Sequence, residues 1–383
     1  MKIVIDARPF VKPLTGIGTF LQSFLKSLQK HKEIDIYVLL PQKLHKTVDI
    51  VFEENVHVIV CPLLGIKSIP RFLWFFFQVP IMLWRIQPDI YFSPMTNIPL
   101  LYPRKTKTLV VVHDVVNMEF TETMSWSNKL YNRSVFGRAV RKTDYLWANS
   151  EYTKRKIEMY FPKRVAQDIL VGDAADRDLF KRLDLSMQEK AYLKRHYHIK
   201  DRFILFVGTL EPRKNLRFLL ELMSELSQYH IQLLVVGGKG WRNSDLYAMI
   251  NSSEDIRRST VFAGYVSNED LVKLYNMADC YVSTALNEGF GMPQLEAMLC
   301  GCPVVTAHNS GMIEVVEGCG ITVKDWNKDV WVSCIIKAIE EGHKEYNLMR
   351  YDWDVICHNL FQYFMSQKHV NKGVNNSCNV YPY

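Results

Sequence analysis

The chain has 383 residues, of which 48% are hydrophobic and 23% are charged, and its net charge is +7. A single hydrophobic core rarely keeps growing to this length, so two domains of similar size are expected. The balanced composition excludes a largely disordered chain.

The positive charge is concentrated in the first half of the chain. Residues 1–180 hold 25 Lys and Arg against 17 Asp and Glu, whereas residues 181–383 hold 22 against 23. A basic first half suits a domain that faces an anionic surface such as lipid headgroups, and scattered solvated charge is the alternative. Nucleic acid is not predicted as a partner, because no basic stripe is interleaved with stacking aromatics.

Neither end-of-chain targeting nor metal binding is indicated. The opening apolar run stops at Asp6, too early for the apolar region of a signal peptide, so it predicts a first buried strand and a cytoplasmic protein. Eight cysteines are scattered, and the close pair Cys300 and Cys302 lacks the CxxC spacing of zinc or redox sites. Reduced, partly buried thiols are expected, and no metal.

Short Val- and Ile-rich runs alternate with segments of helical period, which predicts parallel sheets. The first half carries KIVID, IDIYVLL, VHVIV, DIYFS, TLVVVHD and YLWANS, and the second half carries FILFVGT, IQLLVVGG, STVFAGY, CYVST, CPVVTA and GITV. Two doubly wound α/β domains follow, at residues 1–180 and 200–350, with a linker near 178–200. A helix at 352–367 is expected to return to the first domain, ahead of a flexible tail at 368–383.

The most apolar stretch is RFLWFFFQVPIMLWR, residues 71–85. Gln78 and Pro80 interrupt it, and it is shorter than the roughly 20 residues of a membrane-spanning helix. A pair of core helices is one interpretation. An aromatic, Arg-flanked patch in the bilayer interface is the other, because Trp and Arg suit that depth.

Residues 287–301, NEGFGMPQLEAMLCG, predict an anion site at the start of a helix. A strand ends, a glycine-containing loop follows, and Pro293 stands near the first helical position. Backbone N–H groups between Phe290 and Leu295 would then face a diphosphate together with the positive end of the helix dipole. Glu288 before the helix and Glu296 within it would accept hydrogen bonds from sugar hydroxyls.

The loop FVGTLEPRKNL, residues 206–216, adds two cations after the first strand of the second domain. Ligands of such folds bind beyond the carboxyl ends of the strands, so Arg213 and Lys214 can neutralise the charge of a departing diphosphate. A solvated basic turn is the alternative, and it is disfavoured because cations at a helix start oppose the helix dipole.

The pattern EGFG-P--EAM-CG-PVV, with seven residues between its first and last Glu, resembles the signature of glycosyltransferase family 4, the glycosyl transferases group 1. The resemblance implies a GT-B fold, with two Rossmann-like domains facing each other across a cleft, and a retaining, metal-independent transfer from a nucleotide-diphosphate sugar. It implies that the donor is held by the following residues: Arg213, Lys214, Gly16, Phe290, Gly291, Met292 and Pro293 at the diphosphate, Glu288 at the hexose, and Glu296, Leu295, Tyr265 and Val266 at the ribose and base.

The first domain contributes a glycine loop and a histidine. The loop PLTGIGTF has Gly16 and Gly18 but Leu21 at the third position of a dinucleotide fingerprint, so the glycines alone are a weak signal. His113 ends a predicted strand, and a capping or core histidine is the alternative reading. The resemblance implies that His113 lies beside the donor hexose and is catalytic together with Glu288. The second-rank candidates are Asp6, Arg8, Asn149 and Asp114, the last as a partner that orients His113.

Asp176 and Asp178 spell D-x-D, a metal-binding pattern of another glycosyltransferase fold, but no metal is expected here. The opening DARPF--PLTGIGTF, together with VVHD and GTLEPRKN, most resembles bacterial mannosyl- and related hexosyltransferases that build capsule, O-antigen or lipopolysaccharide. GDP-mannose is therefore the first donor and a UDP-hexose the second, with a lipid-linked or glycan acceptor and peripheral contact with the inner membrane. The alternatives are a sugar-nucleotide epimerase, an inverting transferase and a non-enzymatic sugar-binding protein.

Overall fold

The structure is a computed structural model that describes residues 1–63, 71–115, 118, 132–162, 169–200, 202–238 and 244–369. The chain folds into two compact units: unit 1 joins Met1–Ala174 to Arg350–Tyr383, and unit 2 is Ala175–Met349. The predicted tail lies outside the described residues from residue 370 onward.

Unit 1 is built on a seven-stranded sheet whose neighbouring strands are all parallel, in the order β3-β2-β1-β4-β5-β6-β7. The strands are β1 (Lys2–Asp6), β2 (Asp35–Leu40), β3 (Val56–Val60), β4 (Ile90–Ser93), β5 (Lys107–Val112), β6 (Tyr145–Ala148) and β7 (Ile169–Val171). The described helices of its first segment, up to Ala174, are α1 (Gly16–Leu28), α2 (Arg71–Leu73, Trp74–Gln78 and Val79–Ile86 in succession), α3 (Asn132–Phe136 and Gly137–Lys142) and α4 (Glu151–Tyr160), with a 3-10 turn at Arg8–Val11.

Unit 2 has a six-stranded parallel sheet in the order β10-β9-β8-β11-β12-β13. Its strands are β8 (Arg202–Val207), β9 (Ile231–Val236), β10 (Thr260–Gly264), β11 (Cys280–Ser283), β12 (Val304–Ala307) and β13 (Ile321–Val323). Its described helices are α5 (Met187–His196), α6 (Leu216–Leu226), α7 (Ser244–Ser252), α8 (Glu254–Ser259), α9 (Asn268–Met277), α10 (Met292–Leu299), α11 (Met312–Val316) and α12 (Lys328–Glu341), with 3-10 turns at Pro212–Lys214 and Ser227–Tyr229.

Both sheets are doubly wound, as the apolar runs predict. The strand order reverses between β1 and β4 in unit 1 and between β8 and β11 in unit 2. Loops that leave the carboxyl ends of two strands at such a reversal diverge to opposite faces of the sheet and open a crevice, where α/β folds bind ligands. The reversal therefore marks the edge at which each unit is expected to hold its ligand.

The predicted linker is wrong, because residues 178–200 fold as part of unit 2. Helix α5 begins there at a capping box, in which the Ser186 side chain accepts from the Glu189 backbone and the Glu189 side chain accepts from the Ser186 backbone. The polar composition that suggests a linker is that of a capped surface helix, whose apolar contacts are few. The division between the units falls instead after Ala174 and after Met349.

The last helix, α13 (Trp353–His369), belongs to unit 1 and packs against α1. Trp353 meets the rings of Phe20, Phe24 and Trp147 at centroid distances of 5.0, 6.0 and 6.3 Å. Trp147 is fully buried, and its indole N–H donates to the Gly172 carbonyl at 2.7 Å. Burial of several large rings in one cluster is a strong apolar contribution, and it ties the end of the chain to the first sheet.

An exposed ion pair adds little to this packing. Asp354 accepts hydrogen bonds from Ser27 Oγ at 2.6 Å and from Lys30 Nζ at 2.7 Å, and its side chain is 56% exposed. Partial burial raises the pKa of Asp354, but the bonds from Lys30 and Ser27 outweigh it and leave the pKa below 3.8. The stabilisation is therefore complete above the ordinary pKa and is lost as the pH falls through the lowered value.

We expect Asp354→Asn to reduce the free energy of unfolding by less than about 1 kcal/mol near neutral pH, since exposed pairs contribute little. The difference from the wild type should shrink as the pH falls through the lowered pKa of Asp354, because its carboxyl then becomes neutral like the Asn amide. Urea unfolding at neutral pH and over a series of acidic pH values measures the difference. A deficit that persists in acid would show that the aspartate acts through packing and not through its charge.

Helix α2 replaces the predicted pair of core helices with a single run of three contiguous segments. Its middle segment, Trp74–Gln78, is a π-turn. Pro80 follows in the first turn of the next segment, where its missing N–H matters least. One side of α2 is buried: Trp74 and Phe75 pack into a cluster with strands β1 and β2. Within the described part of the chain, no helix is long and apolar enough to cross a bilayer.

Candidate functional site

A cluster of charged side chains lies at the carboxyl edge of the unit 2 sheet, where the strand order reverses. Strands β8 and β11 are hydrogen-bonded neighbours, and the loops that follow them are residues 208–215 and 284–291. Leu286 N–H donates to the Arg213 carbonyl at 2.8 Å, and Thr284 Oγ1 donates to the Asn215 carbonyl at 3.0 Å. These bonds fix the two loops to each other, so side chains far apart in sequence meet.

The meeting point is the Glu288 carboxylate. Arg213 Nη1 donates to Glu288 Oε2 at 2.9 Å and to the Asn287 carbonyl at 2.7 Å, and Lys214 Nζ pairs with Glu288 Oε1. Glu211 Oε2 lies 3.5 Å from Arg213 Nη2. The structure thus brings three predicted site residues into one group and pairs them with each other.

Two close backbone contacts hold this arrangement. A Cβ added to Gly237, after β9, would lie 1.9 Å from the Gly208 carbonyl oxygen, so the loops after β8 and β9 touch only because Gly237 has no side chain. A Cβ added to Gly311 would likewise lie 2.2 Å from the Gly289 carbonyl oxygen. The loop before α10 therefore rests directly on the loop after β12.

The backbone of Glu288 is bonded to that second loop. Glu288 N–H donates to Ser310 Oγ at 3.0 Å, and the Glu288 carbonyl accepts from Gly311 N–H at 3.1 Å. Because both backbone groups are bonded, the backbone of Glu288 is held in place independently of the two cations. Ser310 and Gly311 are site-shaping residues that the sequence analysis does not identify.

The electrostatics of the cluster favour the ionised form of Glu288. Burial of its carboxyl would raise its pKa, but the charges of Lys214 and Arg213 and their hydrogen bonds outweigh burial, so the pKa lies below 4.5. The side chains of Lys214, Glu288 and Arg213 are only 12%, 14% and 22% exposed. With Glu211 also beside Arg213, two cations face two carboxylates, and Glu288 is the one that both cations contact.

Helix α10 starts where the sequence predicts an anion site. It begins after Gly291, whose φ of 119° is one that residues with a Cβ rarely adopt. The first N–H groups of a helix have no acceptor within it, which leaves those of Met292 and Gln294 directed outward, whereas Pro293 has none to give. The backbone donor predicted at Leu295 is corrected, since its N–H bonds to the Gly291 carbonyl at 3.2 Å.

Gln294 marks this helix start as a polar site. Its side chain is buried, its Oε1 has no hydrogen-bond partner among the described residues, and a Cβ on Gly291 would lie 3.3 Å from that oxygen. A buried, unpaired amide oxygen costs stability unless a ligand or water donates to it. The sequence analysis does not single out Gln294, because a Gln in the first turn of a helix is ordinary.

Glu296 lies one turn into α10 and faces a different environment from Glu288. Tyr275, on α9, donates its hydroxyl to Glu296 Oε2 at 3.1 Å. Burial raises the pKa of Glu296 to about 8, against the opposing effects of Tyr275 and Lys214. Near neutral pH, before any ligand binds, Glu296 is therefore mostly a neutral acid, and the two glutamates of the motif differ in charge.

In unit 1, His113 follows β5 and contacts the helix that begins at Gly16. The His113 ring meets Phe20 of α1 edge-on, with centroids 4.9 Å apart. Its Nε2 lies 2.8 Å from the Pro94 carbonyl oxygen, which can only accept, so Nε2 carries the proton. Burial lowers the pKa of His113, which leaves the ring neutral and Nδ1 as an acceptor.

Gly16 has no structural need to be glycine in unit 1. A Cβ added there meets nothing within 4 Å, and its backbone lies outside the left-handed region. The space beside it is open, and its contact with the donor stays a prediction. Gly18, by contrast, has Leu14 Cδ2 at 2.8 Å from its would-be Cβ.

The second-rank candidates of unit 1 have internal partners. Asp6 is fully buried and bonds Arg8 through both carboxylate oxygens, at 2.6–3.2 Å, and it also accepts from Tyr91 at 3.2 Å. Asn149 donates to the His113 carbonyl at 2.6 Å. Asp6 and Arg8 therefore shape the end of β1, and Asn149 fixes the backbone of the predicted catalytic histidine.

Three further predictions concern the base site, the D-x-D triplet and the metal. Tyr265 is 81% exposed and Val266 is buried, and both follow β10, two strands from β8. Asp176 accepts from the backbone N–H groups of Asp178 and Leu179 at 3.1 and 3.2 Å, so this part of the triplet caps a turn. Among the described residues, no group of three His, Cys, Asp or Glu side chains is placed to hold a metal ion.

Comparison with known proteins confirms the resemblance. Residues 190–352 match the model of the family described as Glycosyl transferases group 1. The chain is 24% identical to O-antigen chain mannosyltransferase B of Escherichia coli over 367 residues, which cover 89% of this chain and 91% of that protein. The chain is therefore related to glycosyltransferases along nearly its whole length.

Solved structures confirm the predicted fold class. Sucrose-phosphate synthase of Thermosynechococcus elongatus superposes with a TM-score of 0.66 at 15% identity, covering 96% of this chain and 99% of that one. HepE of Anabaena in complex with UDP and glucose superposes with a TM-score of 0.64 at 17% identity, covering 96% and 100%. At these identities the likeness establishes the GT-B class of two Rossmann-like units.

Proposed function

We propose that the chain, whose residues 190–352 match the glycosyl transferases group 1 model, is a retaining hexosyltransferase that uses a nucleotide-diphosphate sugar. The observation that carries the proposal is the convergence of Arg213 and Lys214 on Glu288, in the loop that leads into α10. A diphosphate is the ligand that suits two cations and the positive end of a helix.

In this proposal the diphosphate takes the place that the Glu288 carboxylate occupies between the two cations. Arg213 and Lys214 then stabilise the charge that grows on the leaving diphosphate, which is the role a metal ion fills in other transferases. No metal is required in the proposed reaction. Glu288, released from the cations, accepts hydrogen bonds from hexose hydroxyls and positions the reacting carbon.

His113 and Glu296 are proposed to contact the two ends of the donor. Neutral His113 accepts a hydrogen bond from a hexose hydroxyl through Nδ1, since Nε2–H is already given to Pro94. Glu296 binds the ribose, and the segment at Tyr265 and Val266 the base. The acceptor attacks on the face that the diphosphate leaves, and a diphosphate oxygen takes its proton, so the configuration is retained without an enzyme nucleophile.

GDP-mannose is the first donor that we propose. The support is the full-length similarity to a protein named as an O-antigen mannosyltransferase. A UDP-hexose is the second, because a structural neighbour was solved with UDP and glucose. The acceptor is proposed to be a lipid-linked or polysaccharide chain of O-antigen, lipopolysaccharide or capsule, which places the protein in the cytoplasm with peripheral contact to the membrane.

A panel of nucleoside diphosphates tests the donor site. The correct one, at about 100 times its Kd, should stabilise the protein by about 2.7 kcal/mol and raise its melting temperature. GDP is expected to raise the melting temperature more than UDP, dTDP or ADP does. The matching sugar nucleotide should then transfer its hexose to an acceptor extract, whereas conversion without acceptor would indicate an epimerase. If none of the nucleotides raised the melting temperature, the proposal would be contradicted.

Lys214→Met is expected to weaken binding of that nucleotide about tenfold or more, because a charged hydrogen bond to the diphosphate is lost. The matched control is Arg217→Met, since Arg217 is 68% exposed and pairs with Glu221 instead. Titration of the thermal shift against nucleotide concentration measures both variants. Equal loss in both would mean that general positive charge, and not Lys214, attracts the nucleotide.

A further inference from the structure

Helix α2 exposes one apolar face of unit 1. Phe72, Phe77, Ile81 and Trp84 are 55%, 57%, 44% and 57% exposed. Their spacings are five residues across the π-turn, then four, then three, which puts all four on the same side of the helix. These four side chains are called the α2 face.

The opposite side of α2 is firmly anchored. Trp74 is 1% exposed and donates its indole N–H to the Cys61 carbonyl at 2.7 Å, and Val79 and Leu83 are fully buried in the same cluster. The α2 face is therefore held outward by a rigid helix, and its exposure does not result from a loose segment. Large aromatic side chains held in water at this density are typical of a binding surface.

The segment that carries the α2 face has mostly positive charges. Residues 71–107 contain five Lys and Arg, of which Lys107 pairs with Asp144 at 2.8 Å, and one acidic residue, Asp89, which accepts from the Lys2 backbone at 2.8 Å. Arg85 is exposed directly after Trp84. In the segment 100–105, whose Tyr102 packs on the cluster beneath α2, Leu100 and Leu101 are 55% and 71% exposed and two exposed basic residues follow.

We propose that the α2 face binds an anionic lipid bilayer. Trp and Phe side chains enter the boundary between headgroups and acyl chains, and the neighbouring basic side chains meet the negative headgroups. A second copy fits less well, because a two-fold contact would place Arg85 near its own copy. The four half-exposed side chains also offer roughly 400 Å², about half of what each partner of a stable protein interface buries.

The buried side of α2 connects this surface to the carboxyl edge of the unit 1 sheet. The Arg8 guanidinium lies over the Phe75 ring, 4.2 Å from its centroid, and the same guanidinium bonds Asp6 at the end of β1. A bilayer on the α2 face thus lies beside the edge at which doubly wound sheets bind ligands. This deepens the proposed function, on which it rests only for the nature of the acceptor, a lipid-linked chain.

Co-sedimentation of the full chain with vesicles tests the inference without any turnover. The wild type should sediment with phosphatidylcholine vesicles that contain phosphatidylglycerol, and more weakly with phosphatidylcholine alone or in high salt. The double variant Phe77→Ser, Trp84→Ser should bind these vesicles at least about tenfold more weakly than the wild type. The matched control, Met187→Ser with Tyr229→Ser, removes two exposed apolar side chains of unit 2 and should bind like the wild type.

Trp84→Phe provides a measurement that does not depend on the folding of the double variant. It keeps an aromatic side chain and should retain its affinity, but lose part of the fluorescence quenching by brominated lipid. Wild-type affinity in the double variant would overturn the inference, as would a concentration-dependent dimer that the double variant abolishes. Lipid binding without hexose transfer would overturn the proposed function alone.

Discussion

Glu288→Gln is expected to lower turnover about a hundredfold to a thousandfold while strengthening the binding of free nucleoside diphosphate about tenfold. Turnover falls because a positioned carboxylate that contacts the transferred sugar is lost. Binding improves because the negative charge of Glu288 both occupies Arg213 and Lys214 and repels the diphosphate that must reach them. Steady-state turnover and calorimetric titration with the nucleoside diphosphate measure the two effects separately.

The opposite signs distinguish this mechanism from simple damage to the site. A misfolded loop would lose both turnover and nucleotide binding. Glu211→Gln is the matched control, because its carboxylate lies at the longer distance of 3.5 Å from Arg213, and it should leave turnover within a few-fold. Weaker nucleotide binding in Glu288→Gln would show that the carboxylate supports the diphosphate site and does not compete with the ligand.

The sheets are predictable from the sequence because buried parallel strands are continuous apolar runs. Twelve of the thirteen described strands coincide with predicted runs, and the exception is β7, Ile169–Val171. A run of three apolar residues is a weak strand signal: the equally short β13 is predicted from GITV, whereas β7 is not. The α5 helix escapes prediction for a related reason, since a surface helix with one buried residue, Leu193, has almost no apolar period.

The chemistry of the site residues is predictable, but their contacts with each other are not. Arg213, Lys214 and Glu288 are each interpretable as ligands of a sugar nucleotide, yet 74 residues separate Lys214 from Glu288. Their ion pair depends on β8 and β11 being neighbours, which a strand order of 3-2-1-4 produces and a sequential order would not. Strand order is set by long-range packing, which local periodicity does not encode.

The two glutamates of the motif are equivalent in the sequence and differ only through their surroundings. Glu288 faces two cations, whereas Glu296 faces the phenol of Tyr275, an aromatic residue of α9 that the pattern gives no reason to select. The same side chain therefore has a lowered pKa in one position and a raised pKa in the other, so it is ionised in the first and mostly neutral in the second. Charge state belongs to the environment, and the environment follows from the fold.

The pKa of about 8 at Glu296 predicts that the unliganded protein loses stability as the pH rises from about 4.5 to about 8. The folded state holds a proton there that the unfolded chain releases, so the slope of the free energy of unfolding with pH is negative in this range. For a fully dry carboxyl, the free energy of unfolding would fall by roughly 5 kcal/mol over this pH range. The remaining solvent contact of Glu296 reduces the expected fall to about 2 to 3 kcal/mol. Glu296→Gln should match the wild type near pH 5 and exceed it by that amount near pH 9.

Nucleotide affinity should change in the opposite direction. If the ribose hydroxyls donate to Glu296, they favour its ionised form and lower its pKa, so binding below about pH 8 must release a proton. The affinity of the wild type is then expected to rise with pH up to this value, by at most about tenfold per unit, and to level off above it. Calorimetry in buffers of different ionisation enthalpy counts the proton directly. Glu296→Gln should show neither the proton release nor the rise of affinity with pH. The control Glu340→Gln, at an exposed position of α12, should retain both. A wild type that binds nucleotide without releasing a proton would place the ribose away from Glu296.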